Sequence, residues 1–212
     1  MTLAADWVTI SALATAAGTL VLALATFASV RSANRAARVA ERSLLVGLRP
    51  LLVPSRLDDP PQKVAFVEGS YLVVQGGAAV AEADDEAVRL AAALRNVGAG
   101  IAVLHGWHFY PERVTTSDHI TPEEFTRLSR DIFIAPGEIG FWQGAFRDPS
   151  TPAFAEARAA VDGHGDWTAE VLYGDAEGGQ RMISRYAMMP REGGGWLAQA
   201  GRHWYLDRDD PR

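Results

Sequence analysis

An uncharged run of 24 residues near the start of the chain, from Trp7 to Val30, contains no proline. As an α-helix this run would be about 36 Å long, whereas the hydrocarbon core of a bilayer is about 30 Å thick. The run therefore predicts a transmembrane helix over residues 7–30, preceded by a short N-terminal tail at residues 1–6. This helix constrains where the rest of the chain can work.

The residues on either side of the run indicate how the helix is held. The preceding MTLAAD has an acid and no Lys or Arg, and the run is long for a secretory signal, so we expect a retained anchor. A cleaved signal and a buried core helix are the alternatives. Arginines follow the run closely, which predicts a single pass through the inner (plasma) membrane with the N-terminus outside and the C-terminal domain in the cytoplasm. The absence of cysteine agrees with that topology.

Residues 31–49 are predicted to continue the helix as an arginine-rich juxtamembrane segment, because helix formers run up to Gly47 and Pro50 prevents much continuation. At 100° per residue, four arginines fall within about 60° of one another. We expect this face to be solvated and to touch lipid headgroups at the membrane surface. Its members are Arg31, Arg35, Arg38 and Arg42.

Small and hydroxylated residues lie opposite the arginines and continue back into the span. In lipid, a face of this kind lets two helix backbones approach closely and share hydrogen bonds. It predicts a homodimer through the N-terminal helix, with pairing residues Ser11, Thr15, Gly18, Ala33, Ala36 and Ala40. The alternative is that an alanine-rich span carries small residues everywhere, since Ala16 lies off this face.

Residues 50–212 are long enough for one soluble domain with its own core. They hold 15 basic and 24 acidic residues, a formal net charge of −9 that makes nucleic acid a poor partner. Short runs of alternating apolar and polar residues, separated by Gly, Pro and Asp, dominate this part of the chain. They predict strands near 50–57, 63–67, 71–75, 87–96, 101–110, 131–135, 138–146, 167–174, 180–189 and 196–206.

The predicted domain is mainly β: an antiparallel, immunoglobulin-like β-sandwich with two short helices. Thr121–Glu124 is a capping box with proline at the first helical position, and Thr151 followed by proline opens the second helix. An alternative is that the second and third strands belong to an irregular insertion, since residues 76–77 and 84–86 look like loops.

Sequence motifs for catalysis or cofactor binding are not found. Gly98 and Gly100 begin like a dinucleotide-binding fingerprint, but Val103 stands in place of the third glycine, so a turn between two strands is the better interpretation. The chain has no phosphate loop, no Gly-x-Ser-x-Gly elbow and no cysteine nucleophile. His105 and His108 face opposite sides of a strand, so we expect no metal site and no cofactor.

Two clusters have both a structural and a functional interpretation. Asp175, Glu177 and Arg181 surround a glycine-rich hairpin. The two acids are expected to be solvated, with binding of a cation or a basic partner by the carboxylates as the alternative. Seven aromatic side chains are expected to form core, with an exposed binding groove as the alternative. They are Trp107, Phe109, Phe141, Trp142, Trp196, Trp204 and Tyr205.

Four stretches of the chain carry a resemblance to a known group. They are LAAALRNVGAGIAVLHGW, RDIFIAPGEIGFWQGAFRDP, VLYGDAEGGQRMISRY and RHWYLDRDDPR. Together with the span and the arginine segment, they resemble an actinobacterial family of uncharacterised single-pass membrane proteins with a C-terminal β-sandwich-like domain. The resemblance covers most of the chain. It implies an immunoglobulin-like or related sandwich on a membrane anchor, and it supplies no activity and no catalytic residues.

The leading functional hypothesis is a non-enzymatic interaction or scaffolding module, anchored in the membrane and facing the cytoplasm. Its expected partners are the lipid bilayer, a second copy of the chain and a protein that the sequence does not identify. The alternative is a membrane-tethered sensor of a small ligand that signals through paired helices. A hydrolase with an unrecognised site is a third hypothesis.

The predicted pairing face can be tested with matched substitutions. Gly18→Leu and Ala36→Leu place a bulky side chain on the face and should weaken span-dependent dimerisation in membranes. Ala16→Leu, off the face, should weaken it less. Equal effects of the three substitutions would contradict the face.

Overall fold

The structure is a computed structural model that describes residues 2–208, with side chains for residues 6–41, 43–44 and 47–208. The chain divides into two compact units, Met1–Val46 and Gly47–Arg212. The described residues of the first unit lie within one helix, α1 (Thr2–Gly47), which begins five residues before the predicted span. Within the described residues, it is the one helix long and apolar enough to cross a membrane, with a mean hydropathy of 2.0 in its apolar part.

The second unit is mainly β. Its helical parts are α2 (Pro152–Asp162) and a 3₁₀ turn at Pro122–Glu124. Its strands are β1 (Leu52–Pro54), β2 (Gln62–Ala65), β3 (Tyr71–Val74), β4 (Ala78–Ala83), β5 (Val88–Asn96), β6 (Ala102–Tyr110), β7 (Thr126–Ile134), β8 (Ile139–Phe146), β9 (Trp167–Asp175), β10 (Arg181–Pro190) and β11 (Trp196–Tyr205).

One antiparallel sheet contains all of these strands except β2 and β3. Its order is β1-β5-β4-β11-β10-β9-β6-β7, and β8 pairs with the opposite edge of β5. The sheet curls into a half-barrel, so that its two ends approach each other. A hydrogen bond from Arg130 on β7 to Gln143 on β8, 3.0 Å long, spans them.

The main core lies inside the curl. Alternate side chains of each strand point into it, because successive residues of a strand face opposite sides of the sheet. Trp142, Trp167 and Tyr173 are completely buried there, and α2 adds Phe154. The interior is therefore one continuous apolar cluster enclosed by a single sheet.

A separate hairpin, β2–β3, covers the outer face of β5. Its apolar side chains Val64, Leu72 and Val74 pack on Ala91 and Ala93. With the core on one face and this hairpin on the other, β5 is buried on both sides, which explains its alanine-rich sequence.

The predicted immunoglobulin-like sandwich of two packed sheets is not what the described residues form. Each predicted strand had one apolar face, and that pattern fits a curled sheet as well as a sandwich. The prediction also lacks β4, which lies between residues 76–77 and 84–86, the two stretches whose sequences look like loops. The second predicted helix is present as α2, whereas the first is only the 3₁₀ turn that begins at its capping box.

The turn between β5 and β6 holds the backbone that follows α1. The Asn96 side-chain oxygen accepts hydrogen bonds from the Leu51 and Gly98 amides at 3.2 and 3.0 Å. The Asn96 amide nitrogen donates to the carbonyls of Gly100 and Ile134 at 2.7 and 2.9 Å. One buried side chain thus ties together three backbone segments through four hydrogen bonds, and we call this arrangement the Asn96 clamp.

Two glycines make the close approach in the Asn96 clamp possible. A Cβ atom on Gly98 would overlap the backbone of Arg49 and Leu51, and a Cβ on Gly100 would overlap the Leu48 carbonyl. The predicted turn at this motif is confirmed, and its Asn-x-Gly-x-Gly sequence serves backbone packing.

Further contacts fasten the same segment. The Arg49 guanidinium donates to both carboxylate oxygens of Asp207, at 3.0 and 2.7 Å, and lies over the Tyr205 ring. The pKa of Asp207 is lowered by that pairing. Arg49 was predicted to end the juxtamembrane helix, but α1 ends at Gly47 and the Arg49 side chain pairs within the β domain.

Candidate functional site

A pocket of about 320 Å³ opens on the outer face of β10 and β11. It lies beside the segment after β6, which runs over this face and is bonded to it. The Val114 amide donates to the Thr168 hydroxyl at 3.0 Å, and the Trp204 indole donates to the Ser117 carbonyl at 3.1 Å. The lining residues are Arg113, Val114, Thr115, Thr116, Arg185, Ala187, Gln199, Ala200, Gly201 and Arg202.

A buried ion pair forms the floor of the pocket. Arg185 on β10 stands directly opposite Glu170 on β9, and its Nε and Nη2 donate to one Glu170 oxygen at 2.8 and 2.5 Å. Their side chains are 4% and 0% exposed. Arg185 also donates to the carbonyls of Thr116 and Asp118 and lies over the Trp204 ring. The ion pair therefore fixes the covering segment to the sheet.

Tyr110 completes the environment of the Glu170 carboxylate. Burial is the main cause that raises the pKa of the Tyr110 hydroxyl to about 12, and the negative charge of Glu170 adds to it. The hydroxyl is protonated at neutral pH and donates to the second Glu170 oxygen at 3.5 Å. Glu170 thus has partners on both of its oxygens.

A β-bulge shapes the wall of the pocket. The register of β10 and β11 shifts after the pair Arg185–Arg202, so that Tyr186 pairs with Ala200 and Gly201 is the extra residue. A bulge bends its strand and redirects side chains. Here it places two arginines directly opposite each other, an arrangement of like charges that is unfavourable unless negative charge balances it.

The positive charge of the pocket is only partly balanced. Glu170 offsets Arg185, but Arg113 and Arg202 have no ion pair with any described residue. Arg202 is half-buried and donates to the Ser117 carbonyl at 3.4 Å, and Arg113 is exposed. The pocket carries surplus positive charge in an otherwise acidic domain.

A second polar group lies on the inner side of the same strands. The Ser184 hydroxyl is 2.6 Å from His203 Nδ1 and 2.9 Å from the Tyr173 hydroxyl, which accepts from the Leu52 amide at 3.3 Å. Tyr186 donates to the Leu52 carbonyl at 2.9 Å. Ser184 is completely buried, so a substrate cannot reach its oxygen, and the serine–histidine pair gives the hydrolase hypothesis no support.

The structure places the predicted helix residues along α1. The side chains of Arg31, Arg35 and Arg38 and the pairing residues of the small face are exposed, whereas the Arg42 side chain lies outside the described ones. The hydroxyls of Ser11 and Thr15 donate to carbonyls three and four residues earlier, at 2.9 Å each. These hydroxyls need no partner from another helix, and pairing stays a prediction.

One of the two acidic residues around the β9–β10 hairpin differs from the prediction in its exposure. Asp175, expected to be solvated, is only 5% exposed. Its carboxylate accepts from the Gly179 and Gln180 amides at 2.9 and 3.2 Å and so closes the β9–β10 turn. Glu177 is exposed, as expected, and Arg181 is exposed too.

The predicted aromatic core is confirmed, in two clusters. Trp107, Trp142 and Trp196 are buried inside the curl, with Phe109, Phe141 and Tyr205 packed against them. Trp204 instead packs outside the sheet, with Phe125, Leu172 and Ile183. That second cluster supports the segment over the pocket.

The pocket residues were not identified from the sequence. Glu170 and Arg185 each interrupt an apolar strand, and opposite charges in the middle of neighbouring strands would have indicated a cross-strand pair. Nothing in the local sequence of Arg113 or Arg202 marks them. Among the described residues, no group of three or more His, Asp or Glu side chains forms a metal site.

Comparisons with known proteins identify no family. No family model matches the chain, and no curated protein matches it. An ApaA protein from Bordetella pertussis is 12% identical over 75% of this chain and 94% of its own, with a TM-score of 0.21. A β-glucosidase from Kluyveromyces marxianus is 12% identical over 65% of this chain and 15% of its own, with a TM-score of 0.20. Neither similarity is strong enough to indicate a fold or a function. Of the resemblance to actinobacterial membrane proteins, the structure supports a long apolar helix followed by a curled antiparallel β domain.

The buried ion pair generates a stability prediction. Glu170→Gln leaves the Arg185 charge buried without its carboxylate and should lower the free energy of unfolding by about 3–5 kcal/mol. Glu177→Gln, on the exposed turn, is the control and should change it by less than about 0.5 kcal/mol. Denaturant titration of the detergent-solubilised chain measures both. A silent Glu170→Gln would contradict the assigned role of the pair.

Proposed function

We propose that this chain is a single-pass, membrane-anchored module whose β domain faces the cytoplasm and acts by binding. The anchor is supported by the exposure of the apolar helix. Leu20, Leu24 and Phe27 are each more than 60% exposed, and no residue in the most apolar stretch of α1 is buried. Apolar surface of this extent is stable in lipid and costly in water.

The cytoplasmic orientation is supported by charge. Arg31, Arg35, Arg38 and Arg42 follow the span, and no Lys or Arg precedes it. Positive residues close to a span are retained on the cytoplasmic side. Arg49 contributes less to this argument, because its charge is paired with Asp207.

The binding role is supported by the composition of the pocket. Its lining offers guanidinium, hydroxyl and amide groups and contains no histidine and no carboxylate. Such a site can hold a ligand through hydrogen bonds and charge, but it has no group with a pKa suited to moving a proton near neutral pH. Glu170 lies beneath it and is occupied by Arg185 and Tyr110.

Two forms of this role follow. One is an interaction or scaffolding module for a protein partner, and the other is a sensor of a small ligand. The pocket favours the second, because a concave site with convergent polar groups is typical of small-molecule recognition. Pairing of two anchors through the small face of α1 would bring two such domains together.

Proteolysis of right-side-out spheroplasts tests the topology. Residues 50–212 should stay intact while the membrane is sealed and should become sensitive once it is opened, because the domain is enclosed. A periplasmic protein digested in the same sample is the control for protease activity. Degradation of the domain before lysis, or its release from the membrane fraction, would contradict the proposal.

A further inference from the structure

The surplus positive charge of the pocket limits what it can hold. We propose that the pocket binds a small dianion, presenting phosphate oxygens or two carboxylates, between Arg113 and Arg202. This assignment rests on the binding role proposed above and adds the chemical class of the ligand.

Charge balance is the first argument. Three guanidinium groups line the pocket, whereas one carboxylate, that of Glu170, lies behind them and is committed to Arg185. The β domain has 24 acidic residues, yet none of the described ones pairs with Arg113 or Arg202. Arg113 and Arg202 therefore bring two positive charges to the pocket without a carboxylate partner. A ligand with two negative charges would balance them.

Donor geometry is the second argument. A guanidinium group presents a planar fork of N–H donors that matches carboxylate and phosphate oxygens. Arg202 is held in place by the bulge, by its bond to the Ser117 carbonyl and by the Trp204 ring. Thr115, Thr116 and Gln199, whose side chains carry neutral donors, belong to the same lining.

Size is the third argument. A volume of about 320 Å³ lies at the lower end of the range for small-molecule sites. Of the two alanines in the lining, Ala200 packs on the main core, and Ala187 offers the pocket only a short apolar contact. The ligand therefore has a compact body, and most of its affinity comes from its anionic groups.

Isothermal titration of the detergent-solubilised full chain tests the assignment. The probes are glycerol 3-phosphate for a phosphate ester, inorganic phosphate for the bare group, succinate for a dicarboxylate, and choline as a cation control. Saturable binding of at least one anion, weakened by added salt, is expected, whereas choline should not bind. The phosphate and dicarboxylate arms decide which oxyanion the pocket prefers.

Matched arginine variants locate the binding. Arg113→Gln and Arg202→Gln each remove one charged donor and should raise the dissociation constant of the bound anion by about 10- to 100-fold. Arg191→Gln removes the same charge from the exposed β10–β11 turn and should change it by less than about 2-fold. Arg113 is exposed, so its variant should keep the fold even if Arg202→Gln disturbs the bulge.

The outcomes separate this proposal from the topology. Absence of saturable binding by any of the anions, or an equal loss in Arg191→Gln, would overturn the ligand assignment. Anion binding that depends on Arg113 and Arg202 supports it, whatever the spheroplasts show. If the β domain is protected in spheroplasts but binds none of the anions, the proposed membrane topology is supported and the proposed ligand is rejected.

Discussion

The buried Asn96 side chain is the interaction on which the arrangement of the β domain depends. Its four hydrogen bonds join the segment after α1, the β5–β6 turn and the end of β7. Because Asn96 is completely buried, each bond lost would leave a polar group without water or protein to satisfy it. Leu52 is held as firmly, since the buried hydroxyls of Tyr173 and Tyr186 bond both of its backbone polar groups. Residues 48–52 are therefore part of the domain and not a flexible linker.

The same strands carry two kinds of polar chemistry on opposite faces. On the inner face, Ser184 and His203 extend the hydrogen-bond chain that begins at the Leu52 amide. On the outer face, their neighbours Arg185 and Arg202 line the pocket. The bulge at Gly201 adjoins Arg202, and His203 follows Arg202 on the same strand, so a ligand that moved Arg202 would also act on His203. This adjacency gives the sensor form of the proposal a physical basis.

Sequence reasoning recovered the parts of this structure that depend on local pattern. Ten of the eleven strands, α2 and the long apolar helix follow from periodicity, capping and length, all of which are readable over a few residues. The sheet closure, the outer β2–β3 hairpin and the pocket depend on contacts between distant residues, such as Arg130 with Gln143 or Arg185 with Glu170. Asp175 is a similar case. Its position beside a turn predicted a solvated side chain, whereas its carboxylate is buried and accepts hydrogen bonds from the turn amides. Gly98 and Gly100 were identified as a turn, but only their packing on residues 48–51 explains the motif.

Amide hydrogen exchange of the full chain tests the Asn96 clamp most directly. Amides that open only by global unfolding exchange slowest, whereas those of a solvated linker exchange fast. The account predicts that the Leu51 and Leu52 amides exchange about as slowly as that of Val171 in the core strand β9, and that Asn96→Ala speeds the exchange of Leu51 selectively. If Leu51 and Leu52 instead exchange as fast as Glu192 in the exposed β10–β11 turn, residues 48–52 are a linker and the account is contradicted.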